Sequence, residues 1–335
     1  MKIIDYKEGM QITENCIVRG MPNEIYHGLV NSVSSTYLKE LLNGTIYTAN
    51  RKVQSFTKKK HFQIGGIFHD LVEGFTAGYN VMDRYFVYPE YKKSSKQSCI
   101  DVIKLMMSRL EGSTIDDLAE IEITLKGQKL DVIKVTAEML LEKHAEGKTK
   151  VTDVDLGQAE AMLGALKDHP DSSMWMNCEG ESELSFFHDE PVEVNGMIAY
   201  ILLKVRCDRF IETEDSIIIL DWKSTAYTPT PKQVVKEQFK YRYDFSAAMY
   251  CYVIGKFTDK PVYFLNVFVC SDDPCKENVS VVKFTEQDII AGHEDFKLSL
   301  EKYVNWKISE DGWQGVDRDE ENNFIEAPMR PPIDI

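Results

Sequence analysis

Apolar side chains recur with two periods along the chain, and the change from one to the other predicts its elements. Tyr26 to Leu42 reads as a loop carrying Ser32, Ser34 and Ser35, then a short helix over 37–42 with serine in the capping position. Gly65-Gly66 feeds a mostly apolar helix over 64–72 that carries His69. Residues 94–152 are more polar, with helical stretches at 101–110 and 133–144, and read as a helical insertion. Leu156, Ala159, Leu163 and Leu166 recur at spacings of three, four and three, an amphipathic helix that ends before His169-Pro170.

The period then shortens to that of strands. Segments 183–187, 198–210 and 216–223 read this way, and the unbroken run Ile217–Leu220 suits a central strand buried on both faces. Phe245, Ala248, Met249 and Tyr252 mark a helix, strands follow near 262–269 and 279–284, and a long helix over 286–306 completes the globular part. Residues 317–335 are acidic and proline-containing and read as a C-terminal tail.

A length of 335 residues suits one elaborated domain or a core with an appended subdomain. With 43% hydrophobic and 28% charged residues and a mean hydropathy of −0.30, the composition is that of a soluble globular chain. No apolar run approaches a membrane span, so no membrane partner is expected. Asp5, Lys7, Glu8 and Glu14 interrupt the first twenty residues, which predicts an intracellular, cytoplasmic protein. Seven scattered cysteines, with no CxxC, fit a reducing compartment rather than a disulfide framework. Cys270 and Cys275 lack the further ligands a metal or cluster site needs.

The net charge of −15 speaks against an anionic partner such as nucleic acid. Its distribution weakens that objection. Sixteen acidic and seven basic residues fall between Ser271 and Ile335, so about −9 of the total sits there. Arg51, Lys52, Lys58, Lys59 and Lys60 form one basic cluster, and Lys232, Lys236, Lys240 and Arg242 a second. Each is either a solvated face or an anion-binding one.

Candidate chemistry centres on Lys204-Val205-Arg206-Cys207-Asp208 and, thirteen residues beyond Asp208, Asp221-Trp222-Lys223. Strand alternation puts Lys204, Arg206 and Asp208 on one face, and Asp221 and Lys223 on one face of the next strand. An aspartate ending so apolar a run is costly to bury without compensation. A hard divalent cation, magnesium or manganese, is one compensation; pairing of Asp221 with Lys223 is the other. Glu183, on the preceding strand, is a third carboxylate within reach, and the carbonyl of Trp222 is a fourth oxygen. Such a cluster can hold one or two ions against a scissile phosphate, with Lys223 positioning or deprotonating a water or neutralising charge. Arg206 and Lys204 are candidates for phosphate contacts, and Ser34 and Ser35, at a helix start, for either capping or a bound phosphate.

From Tyr26 to Gly315, the order of these motifs resembles the exonuclease VIII (RecE) type of phage and prophage exodeoxyribonuclease, within the PD-(D/E)xK nuclease superfamily. The likeness runs through Ser34-Ser35, Gly65 to His69, Leu156 to Pro170, Glu183-Leu184-Ser185 and the two segments just described. It continues over Asp221 to Thr225, Tyr243 to Tyr250 and Trp313-Gln314-Gly315. It implies an α/β fold with a PD-(D/E)xK core, a central mixed β-sheet flanked by α-helices, with helical insertions. One nuclease domain would cover 1–316, with an insertion near 94–152 and a tail over 317–335.

The resemblance implies Asp208, Asp221, the Trp222 carbonyl, Glu183 and His69 as ligands of Mg2+, or Mn2+ in its place, with two ions per site. Lys223 would be the catalytic lysine beside Glu183, Asp208 and Asp221. It also implies processive 5′ to 3′ digestion of linear double-stranded DNA to leave single strands for recombination. The phosphates at Arg206 and Lys204 would then belong to DNA, with its 5′ end at Ser34 and Ser35. The expected partners are double-stranded DNA ends, a ring-shaped homo-oligomer and a single-strand annealing protein, in the cytoplasm of a bacterial host. One departure is visible: where the superfamily often has glutamine four residues before tyrosine, this chain has Ser246 before Tyr250. Tyr250 is then either a DNA contact or a core aromatic. A structure-specific or restriction-type endonuclease and a non-catalytic DNA-binding protein with a decayed site are the competing readings.

Overall fold

The computed structural model describes residues 2–54, 60–109, 114–309 and 312. Lys58, Lys59, the Trp313-Gln314-Gly315 motif and the 317–335 tail lie outside the described residues. The chain opens with β1 (Ile3–Asp5), β2 (Cys16–Arg19), α1 (Asn23–Gly28), β3 (Ser32–Ser34), α2 (Ser35–Leu42), α3 (Ile46–Gln54) and α4 (Lys60–Ala77). Next come β4 (Tyr85–Val87), α5 (Lys96–Ser108), α6 (Ile115–Lys126), α7 (Leu130–His144) and β5 (Thr149–Val151). Then follow α8 (Asp153–Asp168), α9 (Pro170–Asn177), β6 (Glu181–Val194), β7 (Met197–Glu212) and β8 (Ile217–Thr225). The last elements are α10 (Pro231–Tyr241), α11 (Tyr243–Gly255), β9 (Val262–Cys270), β10 (Val279–Lys283) and α12 (Glu286–Ile308).

The strands form one mixed sheet in the order β1-β2-β6-β7-β8-β9-β10, with β3 added alongside β7. Its backbone is the long β6–β7 hairpin, turned at Asn195-Gly196 with φ of 52° and 75°. A two-residue turn of matching twist needs left-handed backbone at both positions, which asparagine and glycine tolerate. On β7's other edge, β8 pairs antiparallel from Arg209↔Leu220 to Glu212↔Ile217, while β3 pairs parallel at 202–204. Between them β7 and β8 part. β8 and β9 run parallel, joined by the α10–α11 crossover that a parallel pair requires.

Alternation on β8 sorts the helices. Ile217 and Ile219 pack into one core with Leu38 and Leu41 of α2, Phe245 and Met249 of α11, and Phe296 and Leu300 of α12. Ile218, Leu220 and Trp222 pack into the opposite core with Phe68 and Val72 of α4 and Ala159 and Met162 of α8. The sheet is therefore covered on both faces, as the apolar run in β8 requires. Between β4 and β5, which pair as a separate two-stranded sheet, α5 and α7 close round a core of their own, including Ile100, Ile103, Ile133 and Leu141. The apolar spacing did not predict α6; a reciprocal cap between Thr114 and Asp117 starts it, and Ile115 and Ile123 remain exposed.

Candidate active site

The site forms where β7 and β8 part. One residue past their last pair, Asp208 stands across from Asp221. Two carboxylates directly opposite repel one another. The Trp222 N–H, with no ladder partner from β7, donates to Asp208 Oδ2 at 2.9 Å. Lys223 Nζ lies 2.6 Å from Asp221 Oδ2, so the lysine–aspartate pairing is present. From α4, His69 Nδ1 comes to 3.4 Å of Asp208 Oδ2. Helix α4 can approach because Gly65 faces Ser224, whose Oγ lies 3.3 Å from where a Cβ would be.

Glu183 completes the group by an irregularity in β6. Its φ is +54°, left-handed backbone that costs a non-glycine residue about 1–2 kcal/mol. The side-chain alternation is reset there on both strands. Leu184 and Phe186 of β6, and Leu203, Val205 and Cys207 of β7, face the same core as Phe210, so the two strands change face at Glu183 and Asp208. Strict period-two reading cannot foresee this.

Burial, and then Asp208, raises the carboxyl of Glu183 above the usual range, with Arg206 at 3.6 Å opposing the shift. Burial likewise raises Asp208; His69 opposes this and Asp221 adds to it. Burial alone would depress Lys223, but Asp221, Asp208 and Tyr243 outweigh it and hold the ammonium above its ordinary value. The donor chemistry fits a hard cation: carboxylates forced together with too little positive charge beside them. Among the described residues, no three His, Cys, Asp or Glu side chains are yet drawn together as an ion would hold them.

Three groups near the site escaped the sequence reading. Lys39 of α2 donates to the Tyr241 carbonyl at 3.2 Å and stands 5.9 Å from the Tyr243 ring. Burial, then Lys223, pushes its pKa down to about 8. Tyr243, opening α11, lies under Lys223 with 5.4 Å between ammonium and ring centroid. On α4, Glu73 lies one turn beyond His69, close enough to raise Glu183 further; the i, i+4 spacing was the available signal.

The expected DNA contacts need correction. Lys204 is buried and donates to the carbonyls of Tyr26 and Leu29 at 2.8 and 3.2 Å. Arg206 is buried too, bonded to Ser185 Oγ, Asn23 Oδ1 and the Met21 carbonyl, 4.1 Å from the Tyr26 ring. These cations hold the N-terminal segment against β7 and do not face a duplex. Ser34 is the N-cap of α2, accepting from Tyr37 N–H, and Ser35 is buried. Tyr250 packs edge-on against Phe264 behind Asp221 and Asp208, as a core aromatic does. In the second basic cluster, Arg242 is bound to Asp244 and Asp295.

A mixed sheet with helices on both faces, and paired acids and a lysine where two strands diverge, define a nuclease-type α/β core. The model of the PD-(D/E)XK nuclease superfamily matches residues 37–289, and the chain belongs to that superfamily. Among solved structures, an Eubacterium rectale protein described as "Putative exonuclease" is 11% identical, with 96% of this chain and 97% of that chain covered at a TM-score of 0.50. At that identity the likeness is one of fold. A protein described as SSO0001 is also 11% identical, over 70% of this chain and 86% of its own, but its TM-score of 0.25 carries no argument. No curated protein matches the sequence. No described helix is long and apolar enough to cross a membrane.

Proposed function

We propose that the protein is a metal-dependent exodeoxyribonuclease that digests linear double-stranded DNA processively from its ends, 5′ to 3′, leaving single strands for recombination. The observation that carries this reading is the opposition of Asp208 and Asp221, with Lys223 2.6 Å from Asp221 and His69 3.4 Å from Asp208. The description of the Eubacterium rectale neighbour as a "Putative exonuclease" supports the choice of an end-dependent activity.

Asp208, Asp221, the Trp222 carbonyl, Glu183 and His69 would hold Mg2+, or Mn2+ in its place, in a two-ion site. Bound divalent ions supply Lewis acidity to a phosphodiester and lower the pKa of water. The protein's own groups then do the rest. Glu183 orients the attacking water, which releases a proton to solvent as its oxygen bonds to phosphorus, while the bond to the leaving sugar oxygen breaks and that oxygen takes up a proton from solvent. The Lys223 ammonium offsets negative charge growing on the phosphoryl oxygens. A ring-shaped homo-oligomer, an annealing protein as partner and a cytoplasmic location belong to the same reading.

The test is magnesium-dependent digestion of end-labelled linear duplex beside a covalently closed circle. Linear DNA should shorten from its 5′ ends while the circle survives. Lys223→Ala should slow digestion by about 10²–10³-fold, the scale of losing one charge-stabilising donor, and Asp221→Ala should abolish it, both with unchanged circular dichroism. Cutting of the circle would establish an endonuclease instead. Metal binding without cleavage would establish a non-catalytic protein.

A further inference from the structure

Helix α10 leaves the site with an outer face unlike the rest of the surface. At 100° per residue, Lys232, Val235, Lys236, Phe239 and Lys240 share one side. Val234 is the buried residue of the helix, while Glu237, its acidic member, turns inward to Thr225. Phe239 is 82% exposed, an unusual position for a phenyl ring, and three lysines share its side of the helix. Among the described residues, neither Lys232 nor Lys236 pairs with a carboxylate.

The C-terminal end of α10 adjoins the catalytic group. Arg242, in left-handed backbone and clamped by Asp244 and Asp295, turns the chain from α10 into α11. The corner stacks Tyr241 on Tyr243, with ring centroids 5.6 Å apart and planes at 29°. Lys223 and Lys39 lie over the Tyr243 ring at 5.4 and 5.9 Å, and Lys240 lies over the Tyr241 ring at 4.6 Å. Exposed Tyr227, on the loop entering α10, is near enough to Lys240 to act on its charge. Aromatic rings and ammonium groups therefore run from Lys223 through Tyr243 and Tyr241 to Lys240, the last lysine of the outer face.

Resting on the nuclease reading, we propose that this face, with Phe239, Lys232, Lys236 and Lys240, together with Tyr241 at the end of the helix, is a stacking platform for a single DNA strand passing to or from the site. Bases of a single strand present their flat faces, and sequence-tolerant binding combines aromatic stacking with cations along the backbone. A duplex hides those faces within its stack, so the exposed phenyl ring favours the single strand. The lysines would neutralise phosphates on either side of the stacked bases.

The test uses the full chain in EDTA, where cleavage is blocked, and the fluorescence anisotropy of a labelled oligothymidylate about 16 nucleotides long, with a hairpin duplex as control. Stacking of one base is worth about 1–3 kcal/mol, so Phe239→Ala should weaken single-strand binding about 5- to 150-fold. Phe239→Leu should do the same, Phe239→Trp should retain binding, and duplex affinity should change little. Replacing Lys232, Lys236 and Lys240 with alanine should lower the salt slope by about 2, at about 0.7 per phosphate of a single strand.

Unchanged single-strand affinity in Phe239→Ala would overturn the platform, as would equal loss on the duplex. A changed sedimentation mass with unchanged single-strand affinity would overturn it in favour of a subunit interface. Magnesium-dependent digestion by the same wild-type preparation is scored separately. Its absence would remove the nuclease reading while leaving Phe239-dependent binding standing as a result of its own.

Discussion

Replacing Arg206 by alanine separates a structural cation from a DNA-binding one. The guanidinium bonds Ser185 Oγ and the Met21 carbonyl at 2.8 Å each and Asn23 Oδ1 at 3.2 Å, and it stacks 4.1 Å from Tyr26. Hydrogen bonds from a charged group contribute about 1.5–3 kcal/mol each and do not add, while a cation over a ring is worth about 0.5–2 kcal/mol. Breaking such a buried set from one side costs about 3–5 kcal/mol, because its acceptors stay buried without a donor. The unfolding entropy of a chain of 335 residues is about 0.7 kcal/mol/K, so Tm should fall by about 4–7 °C.

Scanning calorimetry reads the loss of stability, and hydrogen exchange should show residues 21–29 losing protection first, since Arg206 and Lys204 fasten that segment. Activity is the wrong readout, because Arg206 also lies 3.6 Å from Glu183. A Tm within about 1 °C of wild type, with a DNA salt slope reduced by about 0.9, would mean that Arg206 contacts a phosphate and that the structural assignment is wrong.

Two further outcomes follow from the site. Lys39 is protonated in the folded protein only below about 8, and the buried ammonium disfavours folding until pH rises past that value toward the ordinary lysine range. An anion binds the charged form, so DNA affinity in EDTA should fall as pH rises through about 8. Lys39→Met should bind more weakly at pH 7 and lose that step; an unchanged step would place the titration elsewhere. Glu183→Gly relieves left-handed backbone and removes a carboxyl that burial already disfavours. It should raise Tm by about 1–3 °C while abolishing digestion, and a lower Tm would refute the strain assigned to that position.

The elements built on period were legible: the run Ile217–Leu220 is a central strand, and the helices over 156–166 and 286–306 lie where apolar spacing put them. The hairpin turn at Asn195-Gly196 is legible in its two residues and not in any apolar period. Of the residues named from the chain, Asp208 stands across from Asp221, with His69 3.4 Å from the first and Lys223 2.6 Å from the second, and Glu183 lies near enough to Asp208 for its charge to act there. Lys39 and Tyr243 were not legible, because what brings them to Lys223 is the packing of α2 and α11 on one face of the sheet. Lys204 and Arg206 misled for the complementary reason. Alternation says which strand face a cation occupies, but not that Met21 to Leu29 will cover it.

The net charge of −15 now acts through a shorter list of cations. Lys204, Arg206 and Arg242 are held within the protein. Lys39 and Lys223 lie at the site, and Lys232, Lys236 and Lys240 on the face leading from it. At physiological salt the Debye length is about 8 Å, so acidic groups farther than that from the path contribute little at a bound phosphate, while cations in contact keep their effect. What the acidic surface does alter is approach, since its long-range field slows encounter with DNA instead of steering it. On this argument, an acidic chain can hold a strand firmly once engaged while capturing it slowly. Wild-type association should therefore quicken as salt is raised modestly, and dissociation should quicken with it.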